Sequence, residues 1–347
     1  MCRKCMNSEF SHRVRELYFI AICTVVAIHC SIETPTIGTW QMVFNKYAAK
    51  WAVPFFFFSS GVFFRNSYSN NIEGFKYIAI RKFRRLVIPY LIWCMIGAIF
   101  SLPMIYCKLH GKSFCGVVDM VFGVSSQFPI GNGVLWFLRS LVAYQCLSIL
   151  FIGCVSKDVR LRRLCIAGCF FIIVLAILSS KMRFYLFSFI GTPSSPFYFA
   201  AGVVLSRRIL SCNANRTVLA AIGGAALVIF AAFGAMGVMS NSIVRHLSNV
   251  LAVLIIYAAL CLAQRNVLKP SVNEAIRCSF FIYCFHRFFI KYLNLFFLRI
   301  GFVECFDANL YYSIYTMYSI FFCLMIALVL RNNAWRIYSL LTGEEKR

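Results

Sequence analysis

"RELYFIAICTVVAIHCSIETP", residues 15–35, decides the fold. Between Glu16 and Glu33 it carries no Asp, Glu, Lys or Arg. An apolar run of this kind approaches the length at which a helix crosses a bilayer. It also places a histidine, His29, near the far end of that run. A single histidine on an apolar helix is more often a packing residue than a chemical one, so His29 needs support from the rest of the chain.

Composition extends the same reading to the whole molecule. Of 347 residues 61% are hydrophobic and 13% charged, with a mean hydropathy of +0.78. That balance excludes a soluble globular domain and fits an integral membrane protein. The net charge of +24 raises the question of nucleic acid. The basic residues, however, stand in short clusters between apolar stretches, so the charge reads as membrane topology and no nucleic-acid partner is expected. The 17 cysteines fall mostly inside apolar runs such as "LIWCMIG" (91–97) and "FFIYCFH" (280–286), where free Cys behaves as a small hydrophobe. Cys2 and Cys5 form a CxxC with no second ligand pair at zinc-site spacing, and no metal is expected. Cys107 and Cys115, in one loop, are the pair considered for a disulfide.

The apolar runs predict an all-α, polytopic membrane protein of about ten transmembrane helices in a single domain, 1–347. The spans fall near 17–32, 50–64, 86–105, 134–154, 163–180, 184–205, 217–239, 246–264, 276–298 and 310–330. The second is short, and "GTPSSP" (191–196) interrupts the sixth. No cleavable signal peptide is expected, since no small-residue cleavage site follows the first run. With the N-terminus inside, the inner segments hold 24 of the 35 Lys and Arg residues, the densest being Arg81, Lys82, Arg84 and Arg85. The positive-inside rule then puts both termini in the cytoplasm, and His29 toward the outer end of the first span.

In this layout all eleven Asp and Glu residues lie outside the spans, while Arg139, Arg287 and Lys291 lie within them, with His29 and His286 as the intramembrane imidazoles. Charge in hydrocarbon costs at least about 2.5–3.5 kcal/mol, so such residues normally face a cavity, a partner or a ligand. Cations without intramembrane carboxylates suggest an anionic ligand. Snorkelling of Lys291 and Arg139 to the interface is the alternative. At about 100° per residue, one face of the first helix carries Arg15, Tyr18, His29 and Glu33. Glu33, four residues on, is in reach of His29 and suits the orienting partner of a general base; ending the helix in water would explain it too.

Several blocks in order carry a family resemblance. They are "VVAIH" (25–29), "VPFFFFSSGVFF" (53–64), "RKFRRLVIPYLIW" (81–93), "GVLWFLRSLV" (133–142) and "SFFIYCFH" (279–286). In these the chain resembles the integral-membrane acyltransferase-3 family, whose members move acyl groups, usually acetyl, from acyl-CoA to hydroxyl acceptors on sugars and related molecules. The resemblance implies that His29 is the essential histidine. It makes Arg85 the second arginine of the family's RxxR element, with Lys82 in the first place and Arg81 and Arg84 alongside. Where the family tends to carry Arg eleven residues before the histidine, this chain has Tyr18, and Arg15 lies one turn away on the same face.

The expected reaction is therefore acyl-CoA-dependent O-acyl transfer in a bacterial-type inner (plasma) membrane. His29 with Glu33 does the proton chemistry. Arg85, Lys82, Arg81, Arg84, Arg15 and Tyr18 face the CoA, and Trp136, Arg139, His286 and Arg287 line the path of a glycan or lipid-linked sugar acceptor. Acyl-CoA serves as donor substrate, and no bound cofactor is expected. Ser59, Ser60 and Gly61 allow either close helix packing or passage of a thin pantetheine arm. A flippase of glycolipid precursors would also use many spans and intramembrane cations, but it predicts repeated halves with matching broken helices, which this sequence lacks. A polysaccharide polymerase would carry a large outer loop rich in Arg or His; the longest here, about 106–133, holds only His110 and two Lys.

Overall fold

The computed structural model describes residues 3–33, 38, 41, 44–45, 51–66, 72–101, 117, 120–122, 132–154, 158–178, 195–210, 215–235, 242–262 and 270–345. Among these residues the chain is helical and forms no strand. In hydrocarbon every backbone N–H and C=O needs a partner within the segment, and apolar runs of this length therefore fold as helices. The helices are α1 (Arg3–Glu33), α2 (Ala52–Asn66), α3 (Ile72–Lys82), α4 (Ile88–Phe100), α5 (Trp136–Cys154), α6 (Val159–Leu178) and α7 (Ser195–Leu210). They continue with α8 (Arg216–Ala235), α9 (Ser242–Leu262), α10 (Pro270–Arg277), α11 (Ser279–Arg299), α12 (Ala308–Asn333) and α13 (Trp335–Thr342).

Each of the ten expected spans meets one of these helices. Five described stretches are long and apolar enough to cross a membrane: Val14–Ser31, Ala79–Phe100, Gly133–Phe151, Ser279–Arg299 and Ala308–Asn333. Shorter apolar helices run over Ala52–Phe64, Ser195–Ser206, Thr217–Phe230 and Leu247–Leu262. The first half of the expected sixth span lies outside the described residues. Its helix starts at Ser195 with Pro196 in the first turn, where a missing N–H and a fixed φ suit a helix start. The short helices α3, α10 and α13 were not expected as spans. Cys107 and Cys115 lie outside the described residues, and the described cysteines are free thiols.

Polar side chains start three of the helices. Asp158 Oδ1 accepts from the N–H groups of Arg160 (3.0 Å) and Leu161 (3.2 Å) at α6. Asn215 does so from Thr217 (2.9 Å) at α8, and Asp307 from Asn309 (2.9 Å) and Leu310 (3.2 Å) at α12. Each satisfies N–H groups that the first helical turn leaves open.

Two compact units divide the chain. The first comprises residues up to Phe63 and Phe197–Val329. In it α1 packs on α10 and α11, and α8 packs on α9. The Tyr312 hydroxyl of α12 donates to the Ala27 carbonyl (3.1 Å), and Cys30 Sγ lies 3.6 Å from Ser319 Oγ. Helices α2 and α7 cross in backbone contact. A Cβ at Gly61 would strike the Phe199 carbonyl, and one at Gly202 the Phe58 carbonyl. The second unit comprises Phe64–Pro196 and Leu330–Arg347. There α5 packs on α6 and α13 on α4, the Trp93 indole donating to the Leu341 carbonyl (2.9 Å).

Candidate active site

In the first unit α1 brings His29 to the face of α11 that carries His286. The two imidazole rings stand 5.2 Å apart between centroids, with their planes at 44°. His286 is fully buried. Its Nδ1 lies 3.1 Å from the Ile282 carbonyl one turn back, and the Tyr283 ring packs 6.2 Å from it. His29 Nδ1 and His286 Nε2 are both buried and have no hydrogen-bond partner among the described residues. Buried polar atoms in native proteins are nearly always satisfied, so two such atoms on neighbouring rings mark a place built for something polar. Arg287 lies within electrostatic reach of both rings. The C-terminal end of α1 is held by Gln41, whose amide donates to the Ser31 carbonyl (2.9 Å) and accepts from Gly38 N–H (3.2 Å). The Glu33 side chain lies outside the described residues.

One face of α1 was expected to carry Arg15, Tyr18, His29 and Glu33, and the structure gives two of these different neighbours. Tyr18 turns to α2. Its hydroxyl lies 2.8 Å from Ser59 Oγ and 3.5 Å from Ser60 Oγ. Its ring packs on Phe55 (5.2 Å) and Phe56 (5.3 Å). Ser59 also bonds the Phe55 carbonyl (2.7 Å). Arg15 is half-buried on α1. Of the two readings of "SSG", close helix packing accounts for Gly61, because the α7 backbone fills the space beside it.

The expected CoA-facing cluster lies in the second unit and is shaped by Pro89. Pro89 has no N–H for the Arg85 carbonyl, and the preceding turn widens to a π-turn over Phe83–Val87, with Ile88 N–H reaching the Phe83 carbonyl. Arg84 is exposed, whereas Arg81 and Lys82 are half-buried. The Arg81 guanidinium sits 5.9 Å above the Tyr77 ring. Arg85 Nη2 contacts Glu345 Oε2 at 3.0 Å, and Arg331 Nη2 contacts Glu344 Oε1 at 3.6 Å. Between α13 and these acids Gly343 takes a left-handed φ of 65° and presses on the Arg84–Arg85 backbone, where a side chain would collide. Trp136 opens α5, and Arg139, one turn on, is buried at 1% exposure. Thus His286 and Arg287 join His29 in one unit, while Trp136 and Arg139 belong with the basic cluster in the other.

Sequence reasoning missed three things: the Tyr18–Ser59 bond, the pairing of the two histidines, and the acidic clasp on Arg85. Only the last left a signal, two adjacent acids at the end of a chain that has eleven in all. Among the described residues no three His, Cys, Asp or Glu gather as a metal site would require.

A family model described as an acyltransferase domain matches residues 18–328. The chain belongs to the acyltransferase-3 family. The match runs from Tyr18 in α1 into α12, so the histidine pair and the basic cluster both lie within it. This acyltransferase-3 member is an acyltransferase by family and a membrane protein by its apolar helices. No curated protein and no solved structure matches it.

Proposed function

We propose that this acyltransferase-3 member transfers an acyl group, acetyl foremost, from acyl-CoA to a hydroxyl of a sugar or surface polysaccharide. It works in a bacterial-type plasma membrane that it crosses ten times with both termini in the cytoplasm. The observation that carries the reading is His29, an imidazole held among apolar helices 5.2 Å from a second, fully buried imidazole. A positioned imidazole is the commonest group for taking a proton from a hydroxyl. As His29 takes that proton, the acceptor oxygen bonds to the thioester carbonyl carbon. The carbon–sulfur bond breaks, and the departing thiolate of CoA receives the proton back from the imidazole. The step balances without a cofactor, and direct transfer needs no acyl-enzyme.

The remaining roles follow from charge. CoA is a cytoplasmic polyanion, and guanidinium forks suit its phosphates. Arg85, with Arg81, Lys82 and Arg84, is the anchor in the second unit, and in the first unit Arg15 and Tyr18 of α1 are the residues offered to CoA. Glu33 raises the basicity of His29. In the second unit Trp136 and Arg139 suit the acceptor, an aromatic beside an arginine fitting a sugar ring or a lipid-linked phosphate, and in the first unit Arg287 suits the same class of ligand. The test is mass spectrometry of surface glycans from cells with and without the protein. An alkali-labile ester mass present only with the protein supports the reading; identical glycan spectra, with the protein shown to be in the membrane, would contradict it.

A further inference from the structure

We propose that His286 is a positioning residue that fixes which nitrogen of His29 carries the proton. Ile282 sets which nitrogen of His286 carries its proton. Its carbonyl can only accept, so His286 Nδ1, 3.1 Å away, must be the N–H that donates. In the neutral ring Nε2 is then a bare lone pair. That atom is buried, on a residue with no exposed surface, and has no partner among the described residues. A buried acceptor left open costs about 1–3 kcal/mol, which a donor beside it would recover. The neighbouring ring supplies one. His29 Nδ1 is also buried and open, on a ring whose centroid is 5.2 Å away.

Both atoms are filled when one relay joins the rings and each member of it donates once and accepts once. The rings do not bond each other directly, so a bridging water completes the relay: His29 carries its proton on Nδ1 and donates it to the water, which donates to His286 Nε2. The chain then runs from the Ile282 carbonyl through His286 to His29, and leaves His29 Nε2 bare. That is the form a base needs. His286 thus does for His29 what a carboxylate does in a serine-hydrolase triad, without a buried charge. The catalytic consequence rests on the acyl-transfer reading above; the tautomer does not.

Two variants and two readouts test it. In ¹⁵N-histidine-labelled protein in detergent, with the His29 signals assigned by loss in His29→Gln, the wild type should show a protonated Nδ1 and a bare Nε2. His286→Phe keeps a ring but removes the acceptor. It should release that tautomer and lower kcat by about 10²- to 10⁴-fold, the scale of losing a correctly oriented base, with KM for acetyl-CoA moved less than about twofold. His286→Gln, which offers a carbonyl oxygen in place of Nε2, should recover at least about tenfold of that loss. A wild-type His29 protonated on Nε2 overturns the proposal. So does a His286→Phe spectrum unchanged at His29, or a tautomer that moves with Glu33→Gln and not with His286→Phe. If the wild type shows the Nδ1–H form but transfers no acyl group, the acyl-transfer reading fails and the tautomer assignment stands.

Discussion

Tyr18 shows how much one residue's surroundings add to its place on a helix. Where the family tends to carry a cation, this chain places a phenol that bonds Ser59 at 2.8 Å and packs between Phe55 and Phe56. The group ties α1 to α2. Tyr18→Phe removes the hydroxyl and keeps the ring, and is expected to lower stability by about 0.5–1.5 kcal/mol, the net worth of one such bond, read as a fall in the unfolding midpoint of the detergent-solubilised protein. An unchanged midpoint would mean that the bond does not hold α1. His29 stands out in the sequence as a candidate because one imidazole in a long apolar run is conspicuous. Its pairing with His286 does not. Helical periodicity says which residues share a face of one helix and nothing about which helix lies opposite, so His286 was placed only on the acceptor path.

Between elements, glycine separates packing from propensity. Gly61 of α2 and Gly202 of α7 each lie where a Cβ would strike a carbonyl of the other helix, whereas Gly224 of α8 has no side-chain or neighbouring-helix atom within 4 Å. Alanine is the better helix former by about 1 kcal/mol. Gly224→Ala should therefore leave thermal stability unchanged or raise it, and Gly61→Ala and Gly202→Ala should lower it. Three variants of one chemical change thus divide by sign, and a gain at Gly61 would contradict the crossing. The basic turn makes a second case. Arg85 and Glu345 pair at 3.0 Å, but with side chains 42% and 58% exposed such a pair is worth at most about 1 kcal/mol. Glu345→Gln should hardly alter stability, yet at low salt it should tighten acyl-CoA binding by at most about fivefold by freeing Arg85, an effect that high salt erases. Titration of acyl-CoA at two ionic strengths checks it, and weaker binding would contradict a phosphate role for Arg85. The long apolar helices were legible because apolar length fixes them, whereas the short α3, α10 and α13 were not. The π-turn was half-legible, since "RRLVIPY" announces the proline but not that the turn before it widens rather than breaks.

For the whole molecule, sequence reached the all-helical class and the family, because both rest on patterns that survive without coordinates. The division into two units was not legible, because it groups the start of the chain with residues after Phe197 and closes the middle with the last eighteen. The proposed orientation rests on charge alone, the lysines and arginines falling in alternate loops of a ten-span layout. A reporter fused after Arg347 should accordingly report from the cytoplasm and one inserted near residue 120 from outside; the reverse would undo the assignment of the basic cluster to the CoA side. The central claim is that His29 moves an acyl group from a thioester to a hydroxyl. It is tested most directly with purified wild-type protein and His29→Ala in proteoliposomes, supplied with [¹⁴C]acetyl-CoA and a membrane extract as acceptor, scoring free thiol release together with label in alkali-labile product. Stoichiometric thiol and ester are expected from the wild type and a rate lower by about 10²- to 10⁴-fold from an equally folded His29→Ala; equal rates from the two would contradict a role for His29 in the transfer.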